Sequence, residues 1–193
     1  MEKEMTPQQS MELITEMIAS AKQSFFKMSF YFLLWGALLA LAGLGQYFLK
    51  QSDFSLHWIG WPIVGVVGGI IAGVHGAREG KKTQVSTFTD RVYMWLWMAF
   101  VFTLVLFIVA AGKHELDPGP YIMLLTGLPT FVTGAIMKFR PLVFGGVLFW
   151  VIGMLTIFFM MEYSALTFTV AILVGYIIPG LMLRKKENEL HAA

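Results

Sequence analysis

The sequence contains no cysteine, which excludes disulfide bonds, thiolate metal sites and cysteine nucleophiles. Charge is also scarce: Asp, Glu, Lys and Arg make up 13% of the 193 residues, whereas a typical soluble domain has about 25%. The net charge of +2 is too small to indicate nucleic acid as a partner. These shortages point away from a soluble fold and from a nucleic-acid-binding protein.

Catalytic patterns are missing as well. No Asp, Glu, Lys or Arg lies within the long apolar runs, and such intramembrane residues usually mark proton relays and ion coupling. Their absence argues against a carboxylate-driven transporter and against an intramembrane aspartyl protease. The sequence has no H-E-x-x-H motif and no Walker loop, and no serine lies in the middle of an apolar run. We therefore predict no catalytic residue and no cofactor, and we expect that the protein is not an enzyme.

Carboxylates and imidazoles do occur in the short segments between the runs. These residue types are ligands for divalent metals, but here they come from three separate segments and no pair has a diagnostic spacing. Short solvated loops need polar residues in any case, so we predict no metal site. The residues are Asp53, His57, His114, Glu115, Asp117 and Glu162.

Long apolar runs dominate what is present. Hydrophobic residues make up 57% of the chain and the mean hydropathy is +0.69. A membrane-spanning helix needs about 20 mainly apolar residues, and barrel strands are shorter and alternate. The pattern predicts an all-α polytopic membrane bundle over residues 28–183. Its six transmembrane helices are predicted at residues 28–49, 57–77, 92–111, 118–137, 141–160 and 164–183.

The basic residues predict the orientation of this bundle. With the N-terminus on the cytoplasmic side, only Lys50 and Lys113 of the 14 Lys and Arg residues fall outside. Basic residues concentrate on the cytoplasmic side of membrane proteins. Both termini are therefore predicted to be cytoplasmic, with residues 184–193 as a basic tail. Gly and Pro recur in spans two, four and six, which fits either a threefold hairpin repeat or topology alone.

The first 27 residues predict an amphipathic cytoplasmic helix. Thr6, Pro7 and Gln9 form a capping-box pattern, and apolar residues then recur at steps of three and four. The polar face is slightly acidic, whereas a helix that lies on anionic lipid is rich in Lys and Arg. A protein contact is the better interpretation, with this chain's own bundle, a second copy or another protein. The candidate contact residues are Met11, Ile14, Ile18 and Phe25.

Glycines line one face of the second predicted span. Gly65, Gly69, Gly73 and Gly76 recur at helical spacing, and Gly69 and Gly73 form a small-xxx-small motif. Such a face lets two helix backbones approach closely. It is compatible with a dimer seam or a thin-walled conduit, but the simplest interpretation is packing in the centre of the bundle.

Threonines supply most of the polarity within the spans. Thr126, Thr130 and Thr133 share one face of the fourth span around Pro129. They either line a small polar cavity or cover the backbone carbonyl that the proline leaves without a donor. We favour the second interpretation, because threonines in helices mostly bond their own backbone.

Two strings carry a resemblance to other proteins. Phe30-Tyr31-Phe32-Leu33-Leu34-Trp35-Gly36 in the first span and Tyr176-Ile177-Ile178-Pro179-Gly180 in the last resemble a group of small bacterial six-helix inner-membrane proteins. The resemblance covers these strings and the overall layout. It implies the bacterial cytoplasmic membrane as the location and implies no activity.

The favoured function is a non-enzymatic sensor or accessory subunit that acts through protein contacts. The alternative is a small permease or channel for an uncharged or small solute, built from the glycines of the second span and the threonines of the fourth. The expected partners are membrane lipids, together with another membrane or cytoplasmic protein or a second copy of the chain.

Overall fold

The computed structural model describes residues 28–52, 54–81, 88–114 and 116–192, together with Thr6, Gln8 and Met11. Every regular element in this part of the chain is helical. The α-helices are α1 (Met28–Gln51), α2 (Gly60–Gly80), α3 (Phe88–Lys113), α4 (Gly119–Ile136), α5 (Arg140–Phe159), α6 (Ser164–Ile172) and α7 (Ile178–Ala192). A short 3-10 turn, Met161–Tyr163, precedes α6, and a π-helical segment, Leu173–Ile177, joins α6 to α7.

Six helical stretches in the described residues are long and apolar enough to cross a membrane. Helices α1 to α5 provide one each, and the sixth span, Met161–Glu189, runs through α6, the π-helical segment and α7. The predicted all-helical chain with six membrane-length helices is thus confirmed. Helix α7 continues without a break through the predicted basic tail as far as Ala192.

The predicted N-terminal helix falls almost entirely outside the described residues. Gln8 and Met11 have helical backbone, and the Met11 side chain is 73% exposed. The other candidate contact residues, Ile14, Ile18 and Phe25, lie outside the described part of the chain. The amphipathic helix over residues 1–27 therefore stays a prediction.

The core is formed by α1, α4, α5 and the sixth span. Tyr176 of the π-helical segment packs edge to face on Phe32 of α1 and on Phe149 of α5, with ring centroids 5.2 Å apart in both pairs. Helix α2 packs mainly against α1, and α3 packs mainly against α4, so both lie at the edge of this group. Further fully buried side chains of the core are Met123, Leu142, Phe168, Ile172 and Leu183.

Helices α4 and α5 form a tight hairpin. The N–H of Phe139 donates to the carbonyl of Gly134 at 2.9 Å, and the N–H of Lys138 donates to Ala135 at 3.1 Å. These two bonds are those of a Schellman motif, with Lys138 at the left-handed position that glycine usually occupies. Lys138 has a φ of 51°, in agreement with this role. The turn sends α5 straight back along α4.

Glycines allow the two helices of this hairpin to lie in close contact. A Cβ placed on Gly146 of α5 would lie 2.6 Å from the backbone nitrogen of Phe131 on α4. A Cβ on Gly134 would lie equally close to the nitrogen of Val143, and one on Gly153 would lie 3.1 Å from the carbonyl oxygen of Pro120. Side chains larger than hydrogen therefore do not fit along this seam without separating the helices.

Contacts at the helix ends show which ends lie together. At one end of the bundle, the start of α1 meets the end of the sixth span, where the N–H of Ser29 donates to the carboxylate of Glu187 at 3.2 Å. The end of α2 lies there too, because the Phe30 and His75 rings stack with centroids 3.9 Å apart.

The α4–α5 turn joins the same end, with the Lys186 ammonium 5.8 Å from the ring centroid of Phe139. At the opposite end, the Ser164 hydroxyl at the start of α6 donates to Asp117, just before α4. The spans therefore alternate in direction, and the ends that meet at the first side are those flanked by most of the basic residues.

Candidate functional site

The predicted threonine cluster lies in the interior of the bundle. Thr126 is buried, and Thr130 and Thr133 have no exposed surface at all. The Thr130 hydroxyl donates to the carbonyl of Thr126 at 2.7 Å and lies 3.3 Å from the hydroxyl oxygen of Tyr176. The structure thus brings the threonines together and adds a tyrosine from the sixth span to them.

The hydrogen bonds differ from those of the favoured interpretation of the threonines. Pro129 frees the carbonyl of Leu125, four residues earlier, but Thr130 bonds the carbonyl of Thr126 instead. The Thr133 hydroxyl has no hydrogen-bond partner among the described residues. Because Thr126, Thr130 and Thr133 are closed in by their neighbours, they form a buried polar contact and do not line an open cavity.

Sequence reasoning missed Tyr176, which holds this contact together. The π-helical segment that carries it precedes Pro179, and single π-helical turns often occur at functional positions in helices. Gly145 of α5 and Gly175 of the π-helical segment lie against each other, since a Cβ on Gly145 would be 2.6 Å from the Gly175 carbonyl oxygen. The signal available in the sequence was Pro179 itself, whose ring excludes a regular hydrogen bond to Gly175.

A second polar chain lies near the end of the bundle that carries Asp117. One Asp117 oxygen accepts from the N–H of Gly119 at 3.0 Å, and the other accepts from the Ser164 hydroxyl. The Thr167 hydroxyl donates to the carbonyl of Ser164 at 3.0 Å, and the hydroxyl oxygens of Thr156 and Thr167 are 3.0 Å apart. These bonds tie α4, α5 and α6 together and use the polar groups structurally.

The N-terminal start of α1 is held by a buried carboxylate. Glu187 of α7 is buried and accepts hydrogen bonds from both the N–H and the hydroxyl of Ser29. A buried carboxylate that accepts these two hydrogen bonds makes a charge-assisted contact, which is stronger than one between neutral groups. This contact joins the first and last spans, whereas the sequence prediction placed Glu187 in a basic cytoplasmic tail.

The predicted glycine face of α2 does not pack within the chain. Gly65, Gly69 and Gly73 are exposed, and no atom of the described residues comes within 4 Å of a Cβ placed on any of them. Gly76 differs, with the Tyr31 hydroxyl 3.1 Å away from its Cβ position. The interpretation of this face as the centre of the bundle is corrected for the first three glycines, since α2 lies at the edge of the core.

A different glycine of α2 makes the contact with α1. A Cβ placed on Gly68 would lie 2.8 Å from the Trp35 ring. The spacing of the glycines identified α2 as a glycine-rich helix but selected Gly69 instead of Gly68 as a packed residue. The two glycines are adjacent, so they lie on different faces of the helix.

No group of three or more His, Asp or Glu residues that could hold a metal ion occurs in the described ranges. Comparisons with protein-family models, with curated proteins and with solved structures gave no match for this chain. The described polar groups in the core mostly bond one another or the backbone. Among the described spans, α2 and α3 are the least buried, and their exposed surface is largely apolar.

Proposed function

We propose that this chain is a non-enzymatic accessory or sensor protein of the bacterial cytoplasmic membrane, with both termini in the cytoplasm, that acts by contacting another protein chain within the bilayer. The observation that carries the proposal is the uneven burial of the spans. Only 11% of the most apolar stretch of α2 and 6% of that of α3 is buried, against 56% in the sixth span. Two of the six helices thus pack mainly against one neighbour each.

The exposed glycines make α2 the better surface for a partner helix. Lipid tails are as apolar as leucine, so the hydrophobic effect does not drive helices together inside a membrane. Helices associate there through close packing of their backbones instead. Gly65, Gly69 and Gly73 provide a strip without side chains, and Val66 on the same side of α2 is 63% exposed. A helix from another subunit can approach this strip more closely than any other described part of α2.

The permease alternative is less well supported. A conduit for a small solute needs polar groups that a solute can reach. The threonines of α4 are buried against Tyr176, and the glycines of α2 lie on the outside of the bundle. The two elements assigned to a conduit therefore do not face each other across an opening.

Site-specific photo-crosslinking in native membranes tests the proposal. A crosslinking side chain at Val66 should give one discrete adduct with another protein chain. The same side chain at Phe144 of α5 is the matched control, since Phe144 is also apolar and 70% exposed. Equal labelling from both positions, or no protein adduct at Val66, would contradict a specific contact on α2.

Substitutions at two adjacent glycines distinguish loss of the partner contact from loss of folding. Gly69→Leu should abolish the adduct from Val66 while the stability of the isolated protein changes by about 0.5 kcal/mol or less, because the space around Gly69 is open. Gly68→Leu should destabilise the protein by about 1–3 kcal/mol, because the new side chain overlaps Trp35. An adduct that survives Gly69→Leu would show that the glycine face is not the contact.

The predicted N-terminal helix is a second candidate surface for the same partner. Removal of Met1–Ser20 takes away Met11, Ile14 and Ile18 but leaves α2 intact. If the adduct from Val66 persists in the truncated chain, α2 is sufficient for the contact. If it disappears while the bundle stays monodisperse in detergent, the N-terminal segment is required as well.

A further inference from the structure

An open groove lies between α2 and α3. Its volume is about 740 Å³, and it is lined by Ala72, Gly73, Met94, Met98, Val101 and Val105, with Trp97 and Phe102 alongside. All of these residues are apolar. In a membrane such a groove is filled by hydrocarbon chains.

The length of the groove favours a single acyl chain over a partner helix. Along α3 its lining runs from Met94 to Val105, which at about 1.5 Å per residue is roughly 16 Å. The hydrocarbon core of a bilayer is about 30 Å thick, so the groove covers the depth of about one leaflet. A partner's transmembrane helix runs through both leaflets, whereas an acyl chain occupies only one, so the groove matches the acyl chain over its whole length.

Basic residues lie at the mouth of this groove. Arg91 precedes Met94 by three residues and Met98 by seven, which places it on the same stripe of α3, one turn nearer the helix start. Its side chain is exposed and makes no ion pair or hydrogen bond with the described residues. Arg78 and Lys81 are exposed at the end of α2, on the same side of the bundle.

Two acidic residues, Glu79 and Asp90, are half-buried near the mouth and offset part of this charge. Arg91, Arg78 and Lys81 outnumber them by one, so the net charge stays positive. The groove therefore combines an apolar slot one leaflet deep with positive charge at the depth where the headgroups begin.

We propose that the groove between α2 and α3 binds an anionic phospholipid, with one acyl chain in the slot and the phosphate at Arg91. Basic pockets between membrane helices bind anionic headgroups through charge and hydrogen bonds, and arginine offers a planar donor set that fits phosphate oxygens. Arg78 and Lys81 add attraction from the other wall. The groove shares Gly73 with the glycine strip proposed above for a partner helix, but Gly65 and Gly69 of that strip do not line it.

Lipid binding measured by native mass spectrometry of the full-length chain tests the site. The two probes are phosphatidylglycerol and phosphatidylcholine with the same acyl chains. We expect tighter binding of phosphatidylglycerol, and Arg91→Gln should reduce this preference about five-fold, the equivalent of about 1 kcal/mol for one basic residue. Lys113→Gln is the matched control, since Lys113 lies at the opposite end of α3 and should leave the preference unchanged.

A second variant addresses the slot itself and does not depend on Arg91. Gly73→Leu places a side chain into open space in the groove and should weaken the binding of both lipids while Arg91 is intact. Equal binding of the two lipids by the parent chain, or an equal loss in Arg91→Gln and Lys113→Gln, overturns the proposal. A mass of two chains without bound lipid also overturns it, because a second copy would then cover the groove.

Discussion

Lys138 adopts the left-handed backbone conformation at the α4–α5 turn, with a φ of 51°. This conformation brings the Cβ of a non-glycine residue too close to the following carbonyl, which costs about 1–2 kcal/mol. The surrounding hydrogen bonds of the Schellman motif hold the residue there. Lys138 is also one of the basic residues predicted to fix the orientation of the chain, so this one position combines a strained backbone with a predicted role in topology.

Replacing Lys138 with glycine should stabilise the protein. Lys138→Gly removes the Cβ that causes the strain, so we expect a gain of about 1 kcal/mol in the free energy of unfolding in detergent. Lys138→Ala is the control, because it removes the charge but keeps the Cβ and should give no gain. Equal stability of the two variants would show that the charge, and not the backbone, sets the effect.

Among the helices, α4 and α5 form the tightest pair, and glycine is the reason. The seam consists of Gly127, Gly134, Gly146 and Gly153, each of which faces the other helix of the pair. In α3, by contrast, Gly112 has no described atom within 4 Å of a Cβ placed on it. The same residue type is required for packing in one helix and is free to change in another.

Because of this contrast, replacing glycine with alanine should affect the stability of the protein differently at the two positions. Gly146→Ala should destabilise the protein by about 1–3 kcal/mol, because its new Cβ meets the backbone of Phe131 and Gly127. Gly112→Ala should be neutral or stabilise by up to about 1 kcal/mol, because alanine has the higher helix propensity. Thermal melts of both variants in the same detergent test this, and a similar loss in both would show that the seam is not closely packed.

The number and approximate bounds of the spans could be predicted from the sequence, but the helices that each span packs against could not. Apolar length and the basic residues are properties of single segments, which explains why all six spans could be located. Which face of α2 packs depends on where Trp35 of α1 lies, and no spacing within α2 contains that information. For the same reason the threonines of α4 were recognised as a cluster, whereas Tyr176, 46 residues beyond Thr130, was not.

For the whole molecule, the alternation of helix direction makes the orientation testable with two fusions. A reporter active only in the cytoplasm, placed after Ala193, should be active, and the same reporter placed after Asp53 should be silent. The physical reason is the concentration of Lys and Arg at the end of the bundle where α1 begins and α7 ends. Activity at both positions, or at Asp53 alone, would contradict the predicted orientation.

The pairing of the first span with the last has a consequence for biosynthesis. Helix α1 leaves the ribosome first, yet Gly36, Gly43 and Ser29 contact residues of the sixth span, which begins about 110 residues after α1 ends. At about 5–20 residues per second, translation of this interval takes on the order of ten seconds. During that time the inward face of α1 has no native partner from the sixth span, so the nascent chain depends on the insertion machinery or on lipid to shield it, and a chain that ends before Met161 leaves this face permanently open.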